Sequence, residues 1–327
     1  MIAIRVKEFG APEVLRAEEV PDLEPKAGQV LVRIAAAGVN PVETYIRSGS
    51  YARLPQLPYT PGNDGAGTIE RIGNGIRGFR AAERVYLTGS LSGTYAEFCL
   101  CTPQQIQPLP NTLSFPQGAA IGIPYATAHR ALFGRGGARH GETVLIHGAT
   151  GGVGIAALQL AVAAGLRVFA TGGTQTGRVL LTENGANEVF DHHEVGYLEL
   201  IRTATGGEGV DLIVEMLANV NLGHDLTVLA PGGRVVVVGS RGPVEINPRN
   251  LMLTESDVRG VMLFAAQPDE LAEIYADLNA RFAEGLATPI VAREFPLSEA
   301  AAAHTAVMSA GAHGKIVLMP GKKTSDA

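Results

Sequence analysis

The chain has 327 residues, of which 41 are glycine and only two, Cys99 and Cys101, are cysteine. Its 26 basic and 32 acidic residues leave a formal charge of −6 with no Lys/Arg run, a poor match to the phosphate backbone of a nucleic acid. Two cysteines cannot build a four-cysteine zinc lobe or an iron–sulfur cluster. Spaced i, i+2 on one strand, they are also badly placed to bridge each other, so a reducing, cytoplasmic compartment is expected. Charges at Arg5, Lys7 and Glu8 come too early for the apolar core of a signal peptide, so no leader is expected.

The first ~120 residues read as β-rich, with short runs at Gln29–Ile34, Thr68–Ile72 and Tyr95–Leu100 cut by Gly and Pro. A mostly antiparallel, barrel-like domain is expected there. From residue 123 the texture changes to alternating strand and helix. The strand candidates are Thr143–His147, Arg167–Thr171, Glu188–Phe190, Leu212–Glu215, Arg234–Gly239 and Val258–Leu263. Their ends step by 24, 19, 25, 24 and 24 residues, enough for one strand, one helix and two short loops. Six such units predict a Rossmann-type, doubly wound parallel sheet. Residues 143–166 carry no charge, but five glycines, His147 and Gln159 favour strand, turn and buried helix over a membrane span. Pro268–Glu284 and Ser298–Ala310 read as helices, the second with Ser298 as N-cap, and Lys315–Met319 as a closing strand. These pieces break the rhythm and are expected to return to the first domain. The expected division is 1–122 with 266–327, around 123–265. The polar tail Gly321–Ala327 is expected to be disordered.

The most informative segment is Thr143-Val144-Leu145-Ile146-His147-Gly148-Ala149-Thr150-Gly151-Gly152-Val153-Gly154. It follows a strand and opens the helix Ile155–Ala164, the setting of a dinucleotide-binding turn. Ala149 stands at the first glycine of G-x-G-x-x-G. Gly151 lets backbone approach a pyrophosphate, Gly154 lets the helix pack closely, and the free N–H groups at the helix start face the phosphates. An NAD site usually has an acid ~20 residues further on, for the ribose hydroxyls. Here Thr171-Gly172-Gly173-Thr174-Gln175-Thr176-Gly177-Arg178 contains none. Arg178, with His192 at the end of the next strand, offers charge to a 2′-phosphate, so NADPH is the expected cofactor.

Competing chemistries lack their residues. No Tyr-x-x-x-Lys pair, nucleophile elbow or nucleotide-binding G-x-x-x-x-G-K-[S/T] loop occurs. None of the eight histidines forms a His-x-x-x-His pair or adjoins a cysteine, so no metal site is expected.

Several strings carry a family resemblance: Gly38–Gly49, Leu57–Gly62, Gln117–Tyr125, the glycine turn, Glu215–Leu222 and Val237–Gly242. With a barrel-like domain ahead of a glycine-turn domain, the chain resembles the medium-chain dehydrogenase/reductase superfamily. Within it, the chain is similar to the zinc-independent, zeta-crystallin-type NADPH:quinone oxidoreductases with a GroES-like catalytic domain. Zinc-dependent members have Cys and Gly-His-Glu where this chain has Asn40 and Gly62-Asn63-Asp64. The resemblance implies reduction of a quinone or related electrophile, by one or two electrons and without zinc. An already electrophilic quinone needs mainly positioning against the nicotinamide. A reductase of enones or enoyl thioesters is the alternative. It further implies that Tyr45, Thr150, Gly151, Gly152, Val153, Gly154, Gly173, Arg178, His192, Asn221, Val238, Gly239, Ser240 and Arg241 contact NADPH. Val261, Met262 and Leu263 would reach its nicotinamide end. Asn40, Tyr45, Tyr51 and Thr127 are the candidates on the substrate side, as donors to an oxygen that gains charge. The resemblance admits AU-rich RNA binding or a structural crystallin role, which the charge disfavours. It also implies a homodimer or homotetramer, for which the low-charge sixth strand offers a pairing edge.

Overall fold

A computed structural model describes residues 1–322. Two compact units emerge, Met1–Ile123 with the segment from Pro289 on, and Pro124–Thr288. The expected tail Gly321–Ala327 lies outside the described residues from residue 323 on.

The first unit is built on one seven-stranded sheet. Its centre is Val30–Val39, long enough to pair with Asp64–Ile72 on one side and with both Phe98–Cys101 and Lys315–Met319 on the other. All pairs are antiparallel except Val291–Pro296 with Lys315–Met319. The ladder runs from Val291–Pro296 to Ile106–Pro108, so the first unit is the mostly antiparallel sheet domain expected, with one parallel pair. One layer of side chains, including Val30, Val32, Ile34, Ile69, Leu87 and Leu318, forms its core. Cys99 and Cys101 point inward from the same strand with sulfurs 3.7 Å apart and unbridged. The hydrogen bond to Cys101, then burial, pushes the Cys99 pKa up, and both side chains pack in the core.

The second unit has the expected six parallel strands. Across the sheet they run Glu188–Phe190, Arg167–Thr171, Thr143–Ile146, Val210–Glu215, Leu229–Val237 and Asp257–Gly260. In order of appearance this is 3-2-1-4-5-6, the doubly wound dinucleotide-binding order. Val144, Leu145, Ile146, Val235 and Val236 are fully buried, as continuous apolar runs covered on both faces should be. The sixth strand stops at Gly260, not Leu263, because the chain turns into a 3-10 segment at Leu263–Ala265.

Two boundaries move. The helix Pro268–Ala283 belongs to the second unit, so the chain returns to the first at Pro289, not at 266. Its apolar stripe explains this: Phe282 packs edge-on to Tyr125, with ring centroids 5.1 Å apart. Ser298 is not an N-cap. It lies inside a 3-10 turn, Leu297–Glu299, that leads into the helix Ala300–Met308. Among the described residues no helix is long and apolar enough to cross a membrane.

Candidate active site

The glycine turn folds as its residues dictate. Gly148 takes φ +56°, and the N–H of Gly151 returns to its carbonyl at 3.1 Å. A Cβ on Gly154 would meet the Gly148 oxygen at 2.4 Å and the Ala149 Cα at 2.6 Å, so only glycine closes this turn. The helix begins at Gly152, earlier than expected, with Gly151 as N-cap and no side-chain cap. Its first N–H groups are therefore those of Gly152, Val153 and Gly154, the arrangement that binds anions at a helix start.

The other cofactor candidates gather along the same carboxyl edge of the sheet. Gly173 follows the strand ending at Thr171, and a Cβ there would lie 2.9 Å from His192. Gly173 and His192 are thus neighbours in space. Burial holds His192 below the usual imidazole pKa, helped by His193, whose ring is 4.3 Å away. Val238, Gly239, Ser240 and Arg241 form the loop after the fifth strand, tied by Arg241 N–H to Asn219 Oδ1 at 2.8 Å. Val261 N–H donates to the Val237 carbonyl, and Met262 and Leu263 follow it.

Arg178 needs a correction. The stretch lacks an acid of its own, but Asp191 reaches in from the next strand and meets Arg178 Nη1 at 2.6 Å. Nη1 also donates to the Gly172 carbonyl and Nη2 to Gln175. Nε–H and one Nη2–H remain for a phosphate. Sequence reading missed Asp191 because the pair is 13 positions apart.

A buried cluster lies beneath this edge. His147 Nε2 is 3.0 Å from Asp225 Oδ1 and 3.9 Å from Glu215 Oε2, all three side chains being at most 2% exposed. Sequence spacing gave no sign of this cluster, because its members are far apart along the chain. The donor atoms lie within 4.8 Å of one another, although the residues are 68 and 78 positions apart. The 3.0 Å spacing is that of a buried ion pair. Asn221 Nδ2 donates to both Glu215 oxygens, at 3.1 and 3.2 Å.

In the first unit, Asn40-Pro41-Val42-Glu43 starts a helix by rule, with Pro at its first position and Glu43 reaching back to the Asn40 N–H at 2.9 Å. Asn40 is 3% exposed, and its amide is fully engaged. Nδ2 donates to Asp64 Oδ2 at 2.9 Å and contacts Glu43, while Oδ1 accepts from Lys315 Nζ. Lys315 also pairs with Asp64 at 3.1 Å. Asn40 is therefore a scaffold for its neighbours, not the open donor expected. Glu43 further accepts from Asn63 N–H at 3.1 Å and Tyr95 Oη at 2.7 Å. Burial, then Asp64, pushes its carboxyl pKa up.

A cleft of about 610 Å³ opens beside this network, lined by Glu43, Tyr59, Asn63, Ser90 and Ser92 among others. Asn63 was singled out only as a missing zinc ligand. Tyr45 and Tyr51, both half-buried, are not among the lining residues. Thr127, 8% exposed, lies on the helix Gly122–His129 of the second unit.

Two family models match, the alcohol dehydrogenase GroES-like domain over residues 26–111 and zinc-binding dehydrogenase over 152–280. The rat quinone oxidoreductase is 51% identical over 321 residues, 98% of each chain. The chain belongs to the quinone oxidoreductase family. Among solved structures, Escherichia coli quinone oxidoreductase complexed with NADPH matches with TM-score 0.87 and 29% identity, over 98% of this chain and 100% of that one. An NAD-dependent alcohol dehydrogenase matches with TM-score 0.92 and 28% identity, over 98% and 100%. The chain thus shares its fold with both a quinone oxidoreductase and an alcohol dehydrogenase.

Proposed function

We propose that this quinone oxidoreductase family member reduces quinones with NADPH and without zinc. The observation that carries this reading is the 51% identity with a quinone oxidoreductase across 98% of both chains. The glycine turn fits the cofactor. The N–H groups of Gly152, Val153 and Gly154 would hold the pyrophosphate, with Thr150 and Gly151 leaving room for it. Gly173, His192 and the remaining N–H groups of Arg178 would hold the adenosine end with its 2′-phosphate. Asn221, Val238–Arg241 and Val261–Leu263 would hold the rest. Bound NADPH supplies a hydride.

Zinc does not fit the first unit's polar cluster. At the ligand places stand two amides, Asn40 and Asn63, and the Asp64 carboxylate is already neutralised by Lys315. Zinc prefers thiolate, imidazole and free carboxylate. The ammonium does a different job, keeping a wholly buried Asp64 charge paired. This holds Asn40 and, through Glu43, the Asn63 backbone. Asn63, Ser90 and Tyr59 would then present polar edges to a substrate in the cleft. Tyr45 and Tyr51 remain proposed donors to the reduced oxygen, and Thr127 a proposed contact from the second unit.

Steady-state kinetics over a panel of quinones and enones, with NADPH, test the assignment. The expected result is a higher kcat/KM for a quinone than for any enone. The reverse order would replace quinone reduction with enone reduction.

A further inference from the structure

Nothing so far explains why three ionisable side chains lie fully buried beneath the cofactor edge. They are held by a continuous chain of contacts. Gly148 N–H, in the glycine turn, donates to Thr171 Oγ1 at 3.2 Å, and Thr171 Oγ1 lies 3.4 Å from His147 Nδ1. The other face of that ring meets Asp225 and Glu215. Glu215 in turn accepts from the Leu217 N–H and from both contacts of Asn221 Nδ2. An asparagine amide can face either way unless its partners decide. Here they decide. Two carboxylate oxygens attract Nδ2 and repel Oδ1, so the oxygen turns away from Glu215. Asn221 is half-buried on the helix Ala218–Asp225, at the sheet edge shared with the glycine turn.

We propose that Glu215 is a positioning residue for dinucleotide binding: its carboxylate fixes the Asn221 amide with Oδ1 outward, as acceptor for a cofactor hydroxyl. This rests on the reading of Asn221 as a cofactor contact. His147 and Asp225 hold Glu215 in place from below, and Tyr197 closes the cluster with its ring edge-on to His147 at 6.4 Å. These, with His192 nearby, are the titratable groups that face it. Burial, opposed by His147 and supported by Asp225, pushes the Glu215 pKa up to about 7. A proton on Glu215 turns one of the two oxygens facing Nδ2 into a donor, so the amide is held firmly above that pH and loosely below it.

The test is the Kd of NADPH and of NADH, by fluorescence titration between pH 6 and 8.5, for the full chain and three variants. The wild-type Kd is expected to rise with both dinucleotides as pH falls through about 7. A rise with NADPH alone belongs to its 2′-phosphate and overturns the proposal, as does a flat profile with both. Glu215→Gln is expected to raise Kd about tenfold and to flatten the profile for NADH. Combining it with Asn221→Asp restores a donor–acceptor pair of reversed polarity and is expected to recover most of the affinity. Failure of that rescue, in a pair that melts cooperatively, counts against positioning. Asn221→Ala separates the two readings. If it leaves Kd unchanged, the Asn221 contact itself is wrong. If it weakens binding tenfold while Glu215→Gln does not, only the positioning role falls. Should Glu215→Gln fail to fold, the wild-type NADH profile decides alone.

Discussion

Arg178 and Asp191 form a balanced pair at the place where NADP- and NAD-dependent enzymes differ. Removing the arginine takes charge-assisted bonds, worth about 1.5–3 kcal/mol each, from a 2′-phosphate only. Arg178→Ala should therefore raise the KM for NADPH about tenfold or more and leave that for NADH nearly unchanged. Asp191→Asn should do the reverse, by freeing Arg178. Equal losses for both cofactors would remove Arg178 from the site. A second residue, His304, reports on pH. It is 1% exposed, donates no ion pair, and shares Tyr95 Oη at 3.2 Å. Burial, then Arg47, lowers its pKa to about 3. A lowered imidazole pKa gives stability that is fully present above about 6.5 and lost as pH falls toward 3. The lost amount is on the order of 5 kcal/mol. Denaturant melts of wild type and His304→Gln should diverge in slope across that window, the variant being less acid-sensitive. Parallel slopes would mean that His304 titrates normally.

At the scale of elements, the glycine turn with its helix carries the cofactor reading. Gly154→Val puts side-chain atoms where the Gly148 carbonyl already sits, so the turn must open. NADPH affinity should fall at least tenfold, about 1.4 kcal/mol, with the far-UV spectrum kept. Unchanged affinity would show that the phosphates bind elsewhere. This element was legible in the sequence because its information is local: strand, glycines and helix follow one another within 20 residues. The six-strand rhythm was legible for the same reason. The polar networks were not. Asn40, Asp64 and Lys315 come from three strand or helix ends up to 275 positions apart, and nothing in a linear string ranks that meeting above others. The Asn40 reading failed on this point, since a free amide and a fully bonded one look alike in sequence. The first unit's antiparallel strands were legible because alternation and turns are local signals. The helix Pro268–Ala283 was assigned to the wrong unit because its stripe says that a face is buried, not against what.

At the scale of the molecule, the parallel sheet ends on Asp257–Gly260, which pairs with no further strand among the described residues, although its Gly260 carbonyl accepts from Arg135 Nε at 3.0 Å. Nearby Met252 and Leu253 are 74% and 81% exposed, unusual for large apolar side chains. We expect two copies to pair along this edge as a homodimer. Val261 N–H points inward to Val237, so by alternation the Val258 N–H faces outward. Val258→Pro removes that donor without touching the internal ladder. Light scattering should show a dimer for wild type and a monomer for the variant; a wild-type monomer would refute edge pairing.

Lys315, Asp64 and Asn40 form a buried ammonium–carboxylate–amide network in the first unit, and we expect NADPH to drive quinone reduction without zinc. Quinone turnover by enzyme exhaustively dialysed against a chelator, with NADPH as donor, tests it most directly. Full activity is expected to be retained, with no rise on adding Zn²⁺. Loss of turnover on chelation, restored by Zn²⁺, would contradict it.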